Sequence, residues 1–334
     1  MLKNKNNVMN TLTLSVVIAT YNSGNTIERC LSSLYPHQKA GYISEVVVVD
    51  GYSTDNTLDV IKKYPVKILF EEGQEIYKNS VIRSHYGKYN AQNQGWKASS
   101  GDLIMFLDSD AYLGEDFFPK ALKFFEDPKL GVLGCLAKAH VSNQITKVMG
   151  RLWEFYKRVM KAVQGGSTKF LGSTFFKLVS FGSKKIVTGG PCYIVRRRCL
   201  EDVSGFDILG DIGVALHAQE KGWKCVSWID SPVYHFSRET LHELIDQRYF
   251  WGQVGAFMPV STMRVLTSHF FRIVGFLILG LIFTIRFRDS FYIKVLPLME
   301  LYYLKGYLVG LKVRQKRNEI IIREALQSVG FIRS

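Results

Sequence analysis

Apolar residues cluster in four short runs in the first third of the chain, and each run predicts a β-strand, at residues 15–20, 45–50, 66–70 and 103–107. Uninterrupted apolar runs are typical of parallel strands that are covered on both faces of a sheet. Segments with helical patterns separate the runs, among them residues 88–99 before the fourth run. This alternation predicts an α/β fold, a doubly wound sheet with a Rossmann-like nucleotide-binding half.

Two carboxylates, Asp108 and Asp110, follow the fourth run. Their spacing places both on one side of the carboxyl end of the strand, where open α/β sheets bind ligands. Oxygen ligands suit Mg²⁺ or Mn²⁺, which proteins commonly hold together with substrate phosphates. The pair therefore predicts a divalent ion that binds a diphosphate. The alternative is that the two residues close the strand and cap the next helix, since Gly114, Glu115 and Asp116 follow.

Several motifs, taken together and in order, resemble those of family-2 glycosyltransferases. The segments that carry the resemblance are residues 16–22, 47–55, 87–95, 106–110, 205–207, 210–211 and 221–223. The resemblance implies a GT-A fold with a mixed sheet, inverting chemistry, a divalent metal and a nucleotide-sugar donor. In keeping with this, the turn after the first run lacks the G-x-G-x-x-G pattern of a dinucleotide site.

The resemblance implies a site for the metal and the diphosphate. Asp110 would bind the divalent ion, and Asp108 would lie near the ribose and the metal. Lys88 or Arg83 would face the phosphates, because Gln92 stands where relatives often have an arginine. His235 would join the metal or contact the diphosphate, as a histidine does in many relatives. The alternative for His235 is a core histidine with satisfied hydrogen bonds.

The resemblance also implies contacts to the nucleotide and the sugars. Thr20 and Tyr21 would line the nucleotide pocket, and Asp50 would form a hydrogen bond with the base. Gly189 and Gly190 would let the backbone approach the donor sugar and the acceptor. An ordinary Gly-Gly-Pro turn explains these two glycines equally well.

Asp211 is the candidate general base. The resemblance implies that it takes a proton from the acceptor hydroxyl as this hydroxyl attacks the sugar in a single displacement. The match departs at Gly210, where the family usually has a glutamate, and the alternative role for Asp211 is to cap a helix. Trp251 belongs to a segment that superficially resembles a motif of processive synthases, and we expect it on the acceptor side.

Basic charge is concentrated in two segments. The formal net charge is +14, and residues 141–185 hold nine basic residues against one acid, while residues 264–334 hold twelve against four. Both segments are also rich in aromatic and aliphatic residues, a combination typical of the cytoplasmic membrane interface. Nucleic acid is the competing partner, but no recognised binding motif accompanies the charge.

Two apolar stretches near the C-terminus bear on membrane insertion. Residues 270–285 would form a helix of about 24 Å, short of the roughly 30 Å hydrocarbon core of a bilayer. Residues 291–311 form a longer stretch but carry Lys294, Glu300 and Lys305. We therefore expect helices that lie in the membrane interface, or a shallow re-entrant hairpin, in a peripheral or monotopic enzyme. A soluble bundle at a dimer contact is the alternative.

The compartment follows from the N-terminus and the cysteines. Residues 1–10 are polar and basic, so no secretory signal is expected before the first strand. Five cysteines without a C-x-x-C pair argue against a disulfide framework. Both observations predict reduced thiols in the cytoplasm, which suits a nucleotide-sugar donor.

These features together predict three regions and one activity. The regions are a tail (1–12), a GT-A catalytic domain (13–238, with a basic aromatic insert at about 141–185) and a helical, membrane-interfacial region (239–334). The enzyme would transfer a sugar to a hydroxyl of a lipid-linked or nascent glycan acceptor at the cytoplasmic face of the membrane. The alternatives are a polyprenyl- or dolichyl-phosphate glycosyl synthase, and a catalytically inactive scaffold that binds nucleotide-sugar.

Overall fold

The computed structural model of the protein describes residues 12–74, 83–164, 190–207, 210–236, 238–256 and 261–314. The strands in these ranges are β1 (Leu14–Thr20), β2 (Glu45–Asp50), β3 (Lys67–Phe70), β4 (Leu103–Leu107), β5 (Ala111–Leu113), β6 (Leu130–Cys135), β7 (Lys138–His140), β8 (Cys192–Arg196), β9 (Lys224–Trp228) and β10 (Val233–Phe236). The helices are α1 (Ile27–Lys39), α2 (Thr57–Ile61), α3 (Arg83–Lys97), α4 (Phe117–Phe124), α5 (Gln144–Gln164), α6 (Arg197–Val203), α7 (Gly210–Glu220), α8 (Leu241–Gly255), α9 (Thr262–Phe287) and α10 (Phe291–Arg314).

A seven-stranded mixed sheet forms the centre of the molecule, in the order β3-β2-β1-β4-β8-β6-β9. Strands β1 to β4 are parallel to one another, β8 is antiparallel to both of its neighbours, and β9 is parallel to β6. Because β1, β2 and β4 are parallel and adjacent, their carboxyl ends meet along one edge. This edge positions the site described below.

The apolar runs are buried because each of their faces packs into a different cluster. Val16 and Ile18 of β1 belong to one apolar cluster, while Val17, between them, belongs to a second cluster on the other face. In β4, Met105 belongs to the first cluster and Phe106 to the second. The alternation is that of side chains along a strand, and it explains why these strands tolerate no polar residue in their interior.

Two predicted elements differ from their expected bounds. Helix α3 begins at Arg83, before the expected start at residue 88, and ends at Lys97. Strand β3 lies at the edge of the sheet, where Lys67 and Phe70 are exposed. The edge position accounts for this exposure, because no other strand of the described residues pairs with the outer side of β3.

A second sheet of three short strands, β5-β10-β7, adjoins the carboxyl end of β4. Strand β10 pairs antiparallel with β5, and this register places His235 opposite Ala111. The backbone N–H of Phe236 donates to the carbonyl of Asp110 at 2.9 Å. The small sheet therefore joins the turn after β4 to a segment about 125 residues later in the chain.

Helices α8, α9 and α10 form a layer at the C-terminal end of the described chain. Helices α9 and α10 are separated by three residues and pack against each other, and α10 also packs closely on α8. Helix α5, from the basic insert, shares an apolar cluster with α9 and α10, to which it contributes Val148 and Leu152. The insert and the C-terminal helices are thus packed together, although they are far apart in sequence.

Helix α9 is longer than the apolar stretch that predicts it. Its 26 residues correspond to about 39 Å. By length and composition alone, α9 could cross a membrane. Of its apolar 18-residue segment, 28% is buried within the protein. One face of α9, which we call the α9 apolar face, consists of large apolar side chains that are each 41–71% exposed: Phe270, Phe271, Val274, Leu277, Ile278, Leu281, Ile282 and Ile285.

Candidate active site

A cavity of about 390 Å³ opens at the carboxyl edge of the parallel strands. Its walls include Thr20 and Tyr21 from the end of β1, Lys88 from α3, and Asp108 and Asp110 from the turn after β4. This volume lies within the range of about 300–1,000 Å³ that is usual for small-molecule sites. Five side chains that were predicted from sequence thus line one cavity.

Asp108, Asp110 and His235 form a cluster that could hold a metal ion. One ligand atom from each residue lies within 4.8 Å of the others, and all three side chains are partly buried. The two aspartates come from the turn after β4, and β10 brings His235 alongside them. Two carboxylate oxygens and an imidazole nitrogen fit a divalent ion, and the imidazole favours Mn²⁺ over Mg²⁺, which prefers oxygen ligands.

The pKa values of the two aspartates are shifted in opposite directions. Burial raises the pKa of Asp108, and Lys88 opposes this effect through contacts of 2.7 and 2.9 Å to the two carboxylate oxygens. Burial also acts to raise the pKa of Asp110, but His235 at 3.2 Å and Arg238 outweigh it and lower this pKa to about 2. The two carboxylates are therefore matched to cations, as a metal–diphosphate site requires.

His235 is the counterpart of Asp110. Burial acts to lower the pKa of His235, but the negative charge of Asp110 outweighs burial, so the pKa is raised above 6.5. A metal ion and a proton would compete for this imidazole, because the imidazole binds a metal ion in its neutral form.

Asp211 is held in place by two donors at the start of α7. The Tyr89 hydroxyl donates to one of its carboxylate oxygens and the backbone N–H of Gly190 donates to the other, each at 3.1 Å. Burial, followed by the charge of Asp211, raises the pKa of Tyr89 well above 10, so the phenol remains a donor. The charge of Asp211 also acts to raise the pKa of Lys88. Tyr89, which donates to Asp211, directly follows Lys88 of the cavity wall.

The unusual Gly210 has a structural reason. Its φ angle is +62°, in the left-handed region that favours glycine, and a Cβ atom at this position would collide with the ring of Tyr89. A glutamate, which the family usually has here, would displace the tyrosine that holds Asp211. This chain thus combines Gly210 with Tyr89.

The other predicted side chains have different surroundings. Asp50 is fully buried, accepts hydrogen bonds from the backbone N–H and the hydroxyl of Ser53 at 2.8 and 2.6 Å, and does not line the cavity. Its contact with a base remains a prediction. Gly189 lies outside the described residues. Trp251 is 38% exposed on α8 and is not part of the cavity wall.

Three further residues belong to the site but were not predicted from the sequence. Glu71 lines the cavity and accepts hydrogen bonds from Asn90 and Gln74. It directly follows β3, so the rule that identified Asp108 could have identified it. Tyr89 donates a hydrogen bond to Asp211, and the positive charge of Arg238 acts to lower the pKa of Asp110. The fold brings these residues together, and the sequence carries no separate signal for either interaction.

Comparison with known proteins gives one family and several relatives. The model of glycosyl transferase family 2 matches residues 15–202. The dolichyl N-acetyl-alpha-D-glucosaminyl phosphate 3-beta-D-2,3-diacetamido-2,3-dideoxy-beta-D-glucuronosyltransferase of Methanococcus voltae is 26% identical over 252 residues, which cover 73% of each chain. Poly-beta-1,6-N-acetyl-D-glucosamine synthase of Staphylococcus aureus is 26% identical over 72% of this chain, and the match spans 54% of that protein.

A solved structure also resembles the whole described arrangement. The mannosyltransferase PcManGT from Pyrobaculum calidifontis, in complex with GDP-Man and Mn²⁺, superposes with a TM-score of 0.58 at 16% sequence identity. The match covers 91% of this chain and 88% of that chain. The predicted GT-A fold, with a mixed α/β sheet and a C-terminal helical region, is thereby confirmed.

Proposed function

The chain belongs to glycosyl transferase family 2, and from this membership we propose an inverting transfer of one sugar from a nucleoside diphosphate-sugar to a hydroxyl of a lipid-linked or nascent glycan acceptor. The observation that carries the proposal is the cluster of Asp108, Asp110 and His235 in the wall of one cavity, with Asp211 close by. A binding site for a metal diphosphate and a carboxylate base are the two parts that such a reaction needs.

On the donor side, Asp108, Asp110 and His235 would hold Mn²⁺ or Mg²⁺. Bound there, the ion supplies Lewis-acid stabilisation of the nucleoside diphosphate leaving group. Lys88 and Arg238 would add positive charge near the diphosphate, since the charge of each acts to lower the pKa of Asp110. Thr20 and Tyr21 would contact the nucleoside, because they line the same cavity at the end of β1.

On the acceptor side, Asp211 would accept the proton of the attacking hydroxyl. The hydrogen bonds from Tyr89 and Gly190 fix its orientation, and fixed orientation is what general-base catalysis requires of its carboxylate. The hydroxyl would attack the anomeric carbon from the side opposite the diphosphate. This single displacement inverts the anomeric configuration and needs no nucleophile from the protein.

We propose that the acceptor is carried by the membrane. The M. voltae relative bears the name of a transferase to a dolichyl-linked sugar phosphate, and the α9 apolar face offers an extended surface for lipid contact. Helix α9 would lie in the cytoplasmic membrane interface beside the catalytic domain. Residues 239–334, together with the insert at 141–185, would form the membrane-associated region.

The test is transfer by the purified protein in detergent, with a panel of labelled nucleotide-sugars, Mn²⁺ or Mg²⁺, and extracted membrane lipid as acceptor. Asp211→Asn should keep metal-dependent donor binding and lower transfer by about 10²- to 10⁴-fold, because only the proton acceptor is lost. Asp202→Asn, which changes an aspartate that bonds to Trp223 in a neighbouring part of the fold, is the control and should transfer normally.

The outcomes separate the alternatives. Transfer that survives Asp211→Asn would indicate a phosphate acceptor, as in a polyprenyl-phosphate glycosyl synthase, since a phosphate needs little help from a base. Metal-dependent nucleotide binding without transfer or slow donor hydrolysis, for every sugar in the panel, would indicate a binding scaffold and contradict the proposed reaction.

A further inference from the structure

A group of charged side chains is buried between α8, α9 and α10, outside the cavity described above. Glu300 of α10 is 1% exposed, and His269 of α9 is fully buried. The carboxylate of Glu300 contacts the Nδ1 atom of His269 at 2.6 Å and a terminal nitrogen of Arg272 at 2.9 Å. Both oxygens of the glutamate are therefore occupied by residues of α9.

Arg248 of α8 faces the same group but lacks an anion of its own. Its Nε atom is buried and, among the described residues, no atom accepts a hydrogen bond from it. Among acidic side chains, Glu300 has the strongest electrostatic effect on Arg248 and acts to raise its pKa, whereas the positive charge of Arg272 acts to lower it. A buried donor without an acceptor costs roughly 1–3 kcal/mol, and more when the donor is charged.

The charges in this group do not balance. Arg248 and Arg272 each carry a positive charge, and Glu300 supplies one negative charge to both. Buried ions are normally paired, so an excess of one positive charge among the described residues indicates that the group can take up an anion. The planar fork of arginine donors matches the geometry of phosphate, as it does that of a carboxylate. The Tyr156 and Tyr303 side chains also act to raise the pKa of Arg248.

The position of α8 connects this group to both the membrane and the catalytic base. Val254 of α8 is buried in the same apolar cluster as Tyr89 and Val214. The hydroxyl of Tyr89 donates to Asp211, and Val214 lies three residues after Asp211 in the chain. On its other side, α8 packs against α10, and α10 packs against α9 with its exposed apolar face. A phosphate bound at Arg248 would therefore lie between the lipid-contacting helix and the helix that borders the acceptor side.

We propose that Arg248 and Arg272 bind the phosphate of a membrane lipid, with the phosphate of a polyprenyl-linked acceptor as its source. The inference rests on the proposed function for the identity of the lipid, although not for the presence of a phosphate site. It deepens that function by naming the part of the acceptor that the helical layer recognises.

The experiment measures binding of farnesyl phosphate to the full-length protein in detergent by calorimetry, with farnesol as the probe without phosphate. Arg248→Gln should weaken farnesyl phosphate binding by about 10- to 100-fold, the usual effect of removing a hydrogen bond to a charged group. Farnesol binding should be equal in both proteins. Arg198→Gln, which removes an exposed arginine on α6 in the catalytic domain, is the matched control and should bind like the wild type.

A second variant separates loss of binding from loss of folding. Arg248→Met should unfold at a higher temperature than the wild type in the absence of ligand, because it removes a partly buried charge whose Nε atom has no acceptor among the described residues. It should nevertheless fail to bind farnesyl phosphate. Unchanged farnesyl phosphate binding in Arg248→Gln, or an equal loss of farnesol binding, would overturn the proposal.

Two further arms identify the source and keep this proposal apart from the proposed function. Tight binding of lysophosphatidylglycerol or inorganic phosphate that depends on Arg248 would keep the phosphate site and assign it to a phospholipid or a free anion. Mn²⁺-dependent nucleotide binding is measured on the same preparations. Its absence, with intact farnesyl phosphate binding, would contradict the proposed function alone.

Discussion

Lys88 shows how one residue can serve a site before and after its ligand binds. Its ammonium group contacts both oxygens of Asp108, whose pKa burial would otherwise raise further. The lysine therefore keeps charge balanced in the cavity without a metal ion. When an ion takes over Asp108, the same ammonium group is available for a phosphate oxygen, because a lysine side chain reorients easily.

The substitution Asp110→Asn tests the metal site. The change removes one negative charge from the three-residue cluster, and we expect Mn²⁺-dependent nucleotide binding to fall by more than the roughly 10- to 100-fold that loss of an outer-shell partner costs. Fluorescence titration with nucleotide, with and without Mn²⁺, measures the change.

The control is Asp116→Asn, an exposed aspartate that pairs with Lys120 a few residues along the chain. It should leave nucleotide binding unchanged. If Asp110→Asn binds nucleotide and Mn²⁺ like the wild type, the ion does not bind at Asp108, Asp110 and His235.

The sequence predicted the aspartates of this site better than their surroundings. Asp108 and Asp110 follow a buried strand, so their position at the sheet edge follows from local pattern alone. The closeness of His235 depends on a register between two three- and four-residue strands, which are too short to leave a periodic signal. The environment of Asp50 is set by a turn in which Ser53 folds back, and residue type alone does not specify that turn.

Among the elements, the contact between α8 and α10 is the most closely packed. A Cβ atom added at Gly306 would collide with the carbonyl of Tyr249, and one at Gly252 would collide with the carbonyl of Tyr303. Gly310 lies against Gln253 and Ala256 in the same way. Small residues at a four-residue spacing let two helix backbones approach closely, as they do in membrane proteins.

Gly306→Ala should therefore destabilise the helical layer. The methyl group would push α8 and α10 apart, which we expect to cost about 1–3 kcal/mol as an overpacked contact. Thermal unfolding of the purified protein in detergent measures the effect.

Gly150→Ala is the matched control within α5. A Cβ atom there meets Val141 and Ala139 at 3.4 and 3.5 Å, an ordinary contact distance, and alanine favours a helix over glycine by up to about 1 kcal/mol. The control should be neutral or stabilising. Equal stability of both variants would mean that α8 and α10 do not pack this closely.

The sequence indicated some elements and not others for a physical reason. Strands β1, β2 and β4 were evident because both of their faces are buried and their residues are continuously apolar. The reversed direction of β8 leaves no trace in its own residues, since parallel and antiparallel central strands have similar compositions. The 26-residue length of α9 was underestimated because its polar ends interrupt the apolar stretch without ending the helix.

For the whole molecule, the α9 apolar face is the surface on which the proposed membrane contact rests. Its eight large side chains extend over residues 270–285 on one side of the helix. A soluble monomer rarely exposes so large a continuous apolar surface. Arg264 precedes this face, and Arg286 and Arg288 follow it, which places positive charge where anionic lipid headgroups would lie.

Replacing Leu281 and Ile285 with aspartate should release the protein from membranes without unfolding it. Both side chains are at least 50% exposed, so the fold does not depend on them. The exposed part of each side chain would bury apolar surface against lipid, and losing it should lower vesicle affinity by at least about 10-fold per residue. Flotation with vesicles that contain phosphatidylglycerol measures the effect.

Tyr35→Asp provides the control, since Tyr35 is 39% exposed and lies on α1 in the catalytic domain. It should float with vesicles like the wild type. Retention of the double variant on vesicles, together with a shift to a smaller particle in gel filtration, would instead assign the α9 apolar face to contact between two copies of the chain.

The reversed strand β8 also determines how the protein emerges from the ribosome. Strand β4 is wholly apolar and needs β8 on its open side, but β8 is translated about 85 residues later. At roughly 5–20 residues per second, this delay lasts on the order of 4–17 s. During that interval the nascent chain presents an unpaired hydrophobic edge, the kind of edge that recruits other strands. A chaperone that shields β4 until β8 has been made should therefore raise the yield of folded enzyme.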